Sequence, residues 1–365
     1  RAFDVAVSGR PGAVLLDIPM DVFRSAVEAP MRTWVPPGAV AETPSDDAVS
    51  SFCHRLNDAI KTAQRPLILA GSGVRAAGCE AEFREFCHAA GLPVVWSLLA
   101  CDLLGSVDSH AIGMIGTYGN RWANLAVAHS DLLLVLGSRL DIRQTGADTQ
   151  SFSAGRRLFH VDIEAGEINN RVLGCDGLHA DLRQFLAVAK NSVLGQQQEA
   201  WLEQIRSLRS QWPDTSELSG CPGINPNVLM HQLSANRAPA AWCVDVGLHQ
   251  MWAAQSLEIA TGSRFLTSGG MGAMGFALPA ALGVAFACEK TRPVVVIAGD
   301  GGFQLNIQEL QTVVHHRLPV KIVVMNNRSH GMTRQFQDTY FGGRYAGTVW
   351  GYSTPSFAAV AAAYG

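Results

Sequence analysis

Short uninterrupted apolar runs, each followed by a stretch of helical period, fill most of the chain. The runs at 66–70 (PLILA), 93–96 (PVVW), 132–136 (LLLVL) and 158–163 (LFHVDI) are continuous rather than alternating. They predict strands covered on both faces. Residues 80–90 and 120–129 between them predict helices. The alternation resumes after 226, with strands predicted at 241–245, 294–298 and 320–325 and helices at 226–236, 276–288, 306–317 and 356–364. Such alternation builds doubly wound parallel sheets, so the fold class is α/β with two domains of this kind, over 46–190 and 226–365. Residues 21–45, with Pro30, Pro36, Pro37 and Pro44, read as a linker. So do residues 191–225, which carry a helical 201–212 followed by Pro213 and Pro222. Residues 1–20 read as a helix end, a turn at 8–12 and a strand at 13–19. One strand and part of a helix make no domain, and the chain opens on Arg1-Ala2-Phe3 without Met, so a longer α/β domain is expected before it.

Composition narrows the classes. Hydrophobic residues make up 48% and charged residues 16% of 365, enough apolar material for several cores. The net charge of −3 comes with no basic run, which argues against nucleic acid and membrane surfaces as partners. Residues 269–288 are uncharged, but they start Gly-rich, carry Pro279 and lack aromatic or basic flanks, so they predict a buried core helix. The eight cysteines form neither a C-x-x-C pair nor a zinc spacing and sit in apolar segments, which fits a reducing, cytoplasmic setting. His315-His316 are neighbours on a predicted helix, point different ways and read as surface or interface.

The chemistry concentrates between 299 and 327. A predicted buried strand ends in Gly299-Asp300-Gly301-Gly302 and runs into a helix, and the next strand ends in Asn326-Asn327. Ligands of doubly wound sheets sit at the carboxyl ends of strands, so Asp300 and Asn327 can converge. A carboxylate and an amide oxygen suit an octahedral Mg²⁺ that keeps phosphate oxygens, and the glycines let backbone approach a diphosphate. Taken singly, each is an ordinary turn. Earlier, Gly71-Ser72-Gly73-Val74-Arg75-Ala76 nearly matches a dinucleotide-binding turn, but the next strand ends Val95-Trp96-Ser97 without the acidic residue that NAD would need.

Together the Asp300 and Asn327 segments resemble the thiamine diphosphate signature. The flanking Val246-Gly247-Leu248-His249-Gln250-Met251-Trp252, Ser268-Gly269-Gly270-Met271-Gly272-Ala273-Met274-Gly275-Phe276 and Gly331-Met332 resemble the acetolactate synthase family. The resemblance runs over essentially the whole chain. It implies that Gly247 and His249 meet the diphosphate, Gly272 the aminopyrimidine, and that Met274 is the wedge that bends the cofactor. It implies Asp300, Asn327 and the Ser329 carbonyl as Mg²⁺ ligands, with Gly299, Gly301, Gly302, Gly331 and Met332 lining the diphosphate and thiazolium. Gly137-Ser138-Arg139-Leu140-Asp141-Ile142-Arg143-Gln144-Thr145-Gly146 resembles the family's flavin-contact loop. By that resemblance Gly137, Arg139, Asp141 and Thr145, with Gly71, Ser72, Gly73, Asp162 and Ile163, would contact FAD, where relatives bind FAD, ADP or nothing. Arg143 would hold the carboxylate of a second 2-oxo acid, for which a planar guanidinium suits.

The implied activity is a thiamine diphosphate- and Mg²⁺-dependent carboligase that condenses two 2-oxo acids, pyruvate among them, with loss of CO₂. The alternatives are a decarboxylase or oxidase with the same cofactor, or a non-catalytic cofactor-binding module. The activating Glu would lie in the pyrimidine-binding domain ahead of Arg1, so no catalytic residue is assigned here and this chain alone is expected to turn nothing over. A homodimer or tetramer and a regulatory subunit are the implied partners. Three positions depart from the family pattern. Leu248 replaces a usual Gln, Phe336 stands where biosynthetic enzymes carry a Trp that favours 2-oxobutyrate, and His330 replaces a usual Leu. They bear on the branched-chain biosynthetic role and the acceptor.

Overall fold

The structure is a computed structural model describing residues 1–26, 44–193, 198–220 and 222–365. Pro30, Pro36, Pro37 and Cys221 of the sequence reading lie outside the described residues. Six parallel strands form the first sheet: β1 (Pro66–Ala70), β2 (Val94–Trp96), β3 (Ala111–Met114), β4 (Leu132–Leu136), β5 (Arg157–Asp162) and β6 (Asp176–His179), in the order β3-β2-β1-β4-β5-β6. The second sheet has four parallel strands: β7 (Ala241–Val244), β8 (Arg264–Leu266), β9 (Val294–Gly299) and β10 (Val320–Met325), in the order β10-β9-β7-β8.

Side-chain alternation explains why the strands must be apolar throughout. Ile68 and Leu134 face the helices Asp46–Thr62, Glu80–Ala90 and Leu182–Ser192, while Leu67, Leu69, Leu133 and Val135 face Arg121–His129 and Glu199–Gln211. Helix Asp46–Thr62 buries Val49, Phe52, Cys53, Leu56, Ala59 and Ile60 at helical spacing and starts under a Ser45 cap. Phe52 packs edge to face on Phe159 and Phe185, with ring centroids 5.6 and 5.9 Å apart. The second sheet lies between helix Ala277–Ala287 on one face and Pro226–Ser234 with Leu248–Ser256 on the other.

The domains are joined. Met114 and Cys101 pack in one core with Trp242, Val244 and Ala254. Buried Asp102 accepts hydrogen bonds from Arg75 at 2.8 Å on one side and from Arg264 and the Phe265 amide at 3.1 and 2.9 Å on the other.

Several expectations change. The run 13–19 is not a strand: it is irregular, with Leu15 93% exposed. A strand needs a partner for its backbone groups, and among the described residues none pairs with it. The first predicted linker carries a short helix, Met20–Arg24. Within the second predicted linker, helix Glu199–Gln211 packs on the central domain, with buried Trp201 donating to the Pro66 carbonyl at 3.1 Å. Strands β3, β6 and β8 had no continuous apolar run, and each is a sheet edge, where only part of the strand needs burial. Residues 269–276 form turns, and Ala277–Ala287 is the helix, with Pro279 in its first turn. Among the described residues no helix is long and apolar enough to cross a membrane. The exposed rings of His315 and His316 meet edge to face at 4.7 Å rather than pointing apart.

Candidate active site

Parallel pairing of β9 with β7 and β10 brings three strand ends together. Asp300 opens the helix Asp300–Leu305 directly after β9 and is buried. Its Oδ2 meets no partner in good hydrogen-bond geometry among the described residues, although the Tyr352 hydroxyl is near enough to act on the carboxylate. An orphaned buried carboxylate oxygen is costly unless a cation completes it, so this donor set fits a hard metal ion. Beyond β10, Asn326 Oδ1 accepts from the Arg328 amide at 3.2 Å and Asn327 Oδ1 from the Ser329 amide at 3.1 Å. The turn forces Arg328 to φ +54°, a left-handed conformation uncommon for a side-chain-bearing residue and typical of functional turns. Ser329 Oγ is also buried without a partner among the described residues.

His249 comes from the first turn of helix Leu248–Ser256, immediately beyond β7. Its Nε2 accepts from the Gly299 amide at 3.2 Å. Burial lowers its pKa to about 4, partly opposed by a hydrogen bond with the Asp245 backbone, so the ring is neutral. Glycines surround this junction for steric reasons. A Cβ on Gly247 would lie 2.6 Å from His249 Cε1, one on Gly299 2.9 Å from the same atom, and one on Gly331 2.4 Å from Leu248 Cδ1. Leu248 thus packs on Gly331.

Two residues at this junction escaped the sequence reading. Asp245 is buried at the end of β7, and its carboxylate accepts from the amides of Val246 at 2.7 Å and Gly275 at 2.9 Å. A Cβ on Gly302 would come within 3.1 Å of it. Burial raises its pKa above the usual carboxylate value, against these amides and those of Phe276 and Ala277. Asp245 therefore ties the 268–276 loop, with exposed Gly272 and Met274, to the Asp300 turn. Asn306 pins the same loop by donating to the Gly275 carbonyl at 2.7 Å. Tyr352 is the other. Its hydroxyl would be 3.0 Å from a Cβ on Gly301, and its ring meets His330 edge to face with centroids 4.8 Å apart. Burial, and next the charge of Asp300, push the phenol up to about 12. A lone Asp at a strand end and a Tyr in a Gly-rich loop carry no motif that would have found them.

In the first sheet the strand order reverses between β1 and β4, the usual place for a ligand crevice. A cavity of about 650 Å³ opens there. It is lined by Ser72, Gly73, Gly137, Arg139, Asp141, Arg143, Asp162 and Ile163, of the residues singled out in the sequence, and reaches the second domain at Met251, Gly269 and Gly270. The Asp141 side chain caps the turn Ile142–Thr145, accepting from the Arg143 and Gln144 amides at 2.9 and 3.3 Å. It also pairs with Arg139 at 3.7 Å. For the Arg143 guanidinium no ion pair is found among the described residues.

The structure does not bring every singled-out residue to a cavity. Gly71 is under the Gly137 backbone: its amide donates to the Leu136 carbonyl at 2.9 Å, and a Cβ there would lie 2.1 Å from the Gly137 oxygen. Thr145 is buried, bonded to the Asp141 and Gly146 carbonyls at 3.2 and 3.1 Å. Met332 begins helix Gly331–Tyr340, on which Phe336 is 53% exposed beside Tyr340.

Comparison with known proteins agrees with this architecture. Residues 53–188 match the family model of the thiamine pyrophosphate enzyme central domain, and residues 245–365 that of the C-terminal TPP binding domain. The chain is 36% identical over 382 residues to an acetolactate synthase large subunit of Parasynechococcus marenigrum, covering 100% of the chain and 59% of that protein. It is 36% identical over 374 residues to the acetolactate synthase isozyme 2 large subunit of Escherichia coli, covering 100% of the chain and 64% of that protein. With the acetolactate synthase large subunit of Corynebacterium glutamicum it shares 34% identity, over 95% of the chain and 56% of that protein. The chain thus spans about three-fifths of the length of these curated relatives.

Proposed function

For a chain that carries the central and C-terminal domains of the thiamine pyrophosphate enzymes, we propose the diphosphate- and metal-holding part of an acetolactate synthase-like carboligase. The whole protein condenses two 2-oxo acids, pyruvate among them, with loss of CO₂. The buried Oδ2 of Asp300 at the end of β9, without a well-formed hydrogen bond among the described residues, carries this reading. Asp300, the Asn327 side-chain oxygen and the Ser329 carbonyl hold Mg²⁺. Gly299, Gly301, Gly302 and Gly331 admit the diphosphate close to backbone, and Gly247 and neutral His249 fix the turn that presents it. Asp245 sets the loop that carries Gly272 to the aminopyrimidine and Met274 as the wedge. Thiamine diphosphate, when bound, supplies the electron sink for loss of CO₂.

Arg143 binds the carboxylate of the second 2-oxo acid, and its guanidinium, beside a cavity and without an ion pair among the described residues, supports that task over simple decarboxylation. The cavity is assigned to FAD through the β1 and β4 loops, and Phe336 and His330 tune the acceptor. The activating Glu is assigned to a pyrimidine-binding domain of the whole protein. Residues 46–190 and 226–365 are the proposed domain limits, with a homodimer or tetramer, a regulatory subunit and a cytoplasmic setting.

Calorimetry of the full-length protein tests the cofactor assignment. Thiamine diphosphate should bind with Mg²⁺ and at least about tenfold more weakly without it, a difference of about 1.4 kcal/mol. Asp300→Asn should remove the metal dependence. Metal-independent binding, or none, overturns the reading. Arg143→Ala should divert product from the carboligation product to CO₂ and aldehyde. An unchanged product ratio would leave a decarboxylase or oxidase instead.

A further inference from the structure

Three metal-ligating side chains converge at the end of the first sheet opposite its ligand crevice. His88 lies in the last turn of helix Glu80–Ala90, and Asp108 and His110 lie in the turn that leads into β3. His88 Nε2 is 3.1 Å from Asp108 Oδ2, and His110 Nδ1 is 3.4 Å from Asp108 Oδ1. One ligand atom from each residue lies within 4.8 Å of the other two. Ligands at roughly 2.0–2.1 Å from a tetrahedral zinc ion are about 3.4 Å apart, so these groups need little movement to share one ion.

The arrangement is preset by backbone. The His110 amide donates to Asp108 Oδ1 at 2.9 Å, and the Ala111 amide to the Asp108 carbonyl at 3.1 Å. The rings of His88 and His110 meet edge to face at 5.1 Å. The Asp108 and His110 side chains are each 12% exposed, whereas His88 is 52% exposed. The cluster therefore has a fixed floor and one open side. Holding ligands in place beforehand lowers the ordering cost of binding. Two imidazoles and one carboxylate suit Zn²⁺, whereas Mg²⁺ prefers an all-oxygen set such as that around Asp300.

We propose that His88, Asp108 and His110 form a Zn²⁺ site, with water in the fourth position, that clips helix Glu80–Ala90 to edge strand β3. The site is independent of the thiamine diphosphate reading. The rival description is a His–Asp–His hydrogen-bond cluster that takes no ion.

The test uses the full-length protein without a histidine tag, stripped by chelator and kept in excess Mg²⁺. Zn²⁺ is titrated by calorimetry, and the melting temperature is followed in parallel. Wild type should take up Zn²⁺ at this site with a rise in melting temperature. His88→Ala removes a ligand from a half-exposed position without touching the core. Asp108→Asn keeps an acceptor for the His110 amide but removes the charge. Each should weaken Zn²⁺ binding at least about tenfold, since even changes around metal ligands cost about 10–100-fold. Replacing His315 and His316 together by Ala should leave binding unchanged. No Zn²⁺ uptake by wild type, wild-type affinity in His88→Ala, or loss of Zn²⁺ in the His315/His316 variant overturns the proposal.

Discussion

The imidazole of His249 sits between two strand ends, with its Nε2 occupied by the Gly299 amide. A proton on that nitrogen would break the bond and charge a buried ring. Its pKa of about 4 lies below the ordinary imidazole value of 6.5. The unfolded chain therefore binds the proton first, and stability is whole above pH 6.5 and falls as pH drops from 6.5 through 4. The loss is about 3 kcal/mol. Urea unfolding across that range should show this slope in wild type and a flatter one in His249→Gln. Parallel slopes would remove His249 from the account. At this scale the sequence exposed residues whose type states their chemistry, such as Asp300 between glycines. Asp245 and Tyr352 stayed hidden because their partners, Gly275 and Gly301, are distant in the chain.

The βα turns of the central domain are shaped by backbone packing as well as by any ligand. Gly71 and Gly73 lie against Gly137, so these three glycines serve the crossing of two loops. Gly71→Ala should cost about 1–3 kcal/mol, as overpacking does in tight interiors. Asp141 acts on its own short helix, fixing the amide of Arg143. Asp141→Ala should cost about 1 kcal/mol, the usual value of a lost cap. Thermal denaturation of both variants checks the order, with Gly71→Ala the more damaging. If Asp141 served a ligand alone, its variant would melt like wild type. Long buried strands such as β4 and β9 were legible because both faces demand apolar residues. The short strands β3, β6 and β8 were not, since three or four residues, partly exposed in β6 and β8, carry too little apolar pattern, whereas the six-residue edge β10 was legible. The helices that start at Leu248 and Gly331 were missed because each begins inside a glycine-bearing turn, without a cap or a clear apolar period.

Across the whole molecule, Asp102 couples the domains through Arg75 on one side and Arg264 with the Phe265 amide on the other. Its carboxylate is 1% exposed, while the two arginines are 21% and 44% exposed and can be rehydrated. Asp102→Ala should therefore cost about 2–3 kcal/mol, in the range of hydrogen bonds to a charged group with partial solvent relief. Scanning calorimetry should show one thermal transition in wild type separating into two as the domains uncouple. A single transition at an unchanged temperature would show that the shared core around Met114 and Trp242 suffices.

The α/β class, the long central strands and the types of side chain available for chemistry are written in the chain. Those follow from local periodicity and from turn residues beside apolar runs. Folding was needed to show that 13–19 is not a strand, that Asp245 joins the Met274 loop to the Asp300 turn, and that His88 meets Asp108 and His110. Each depends on a partner supplied by a separate element, and contacts between distant segments leave no period in the chain.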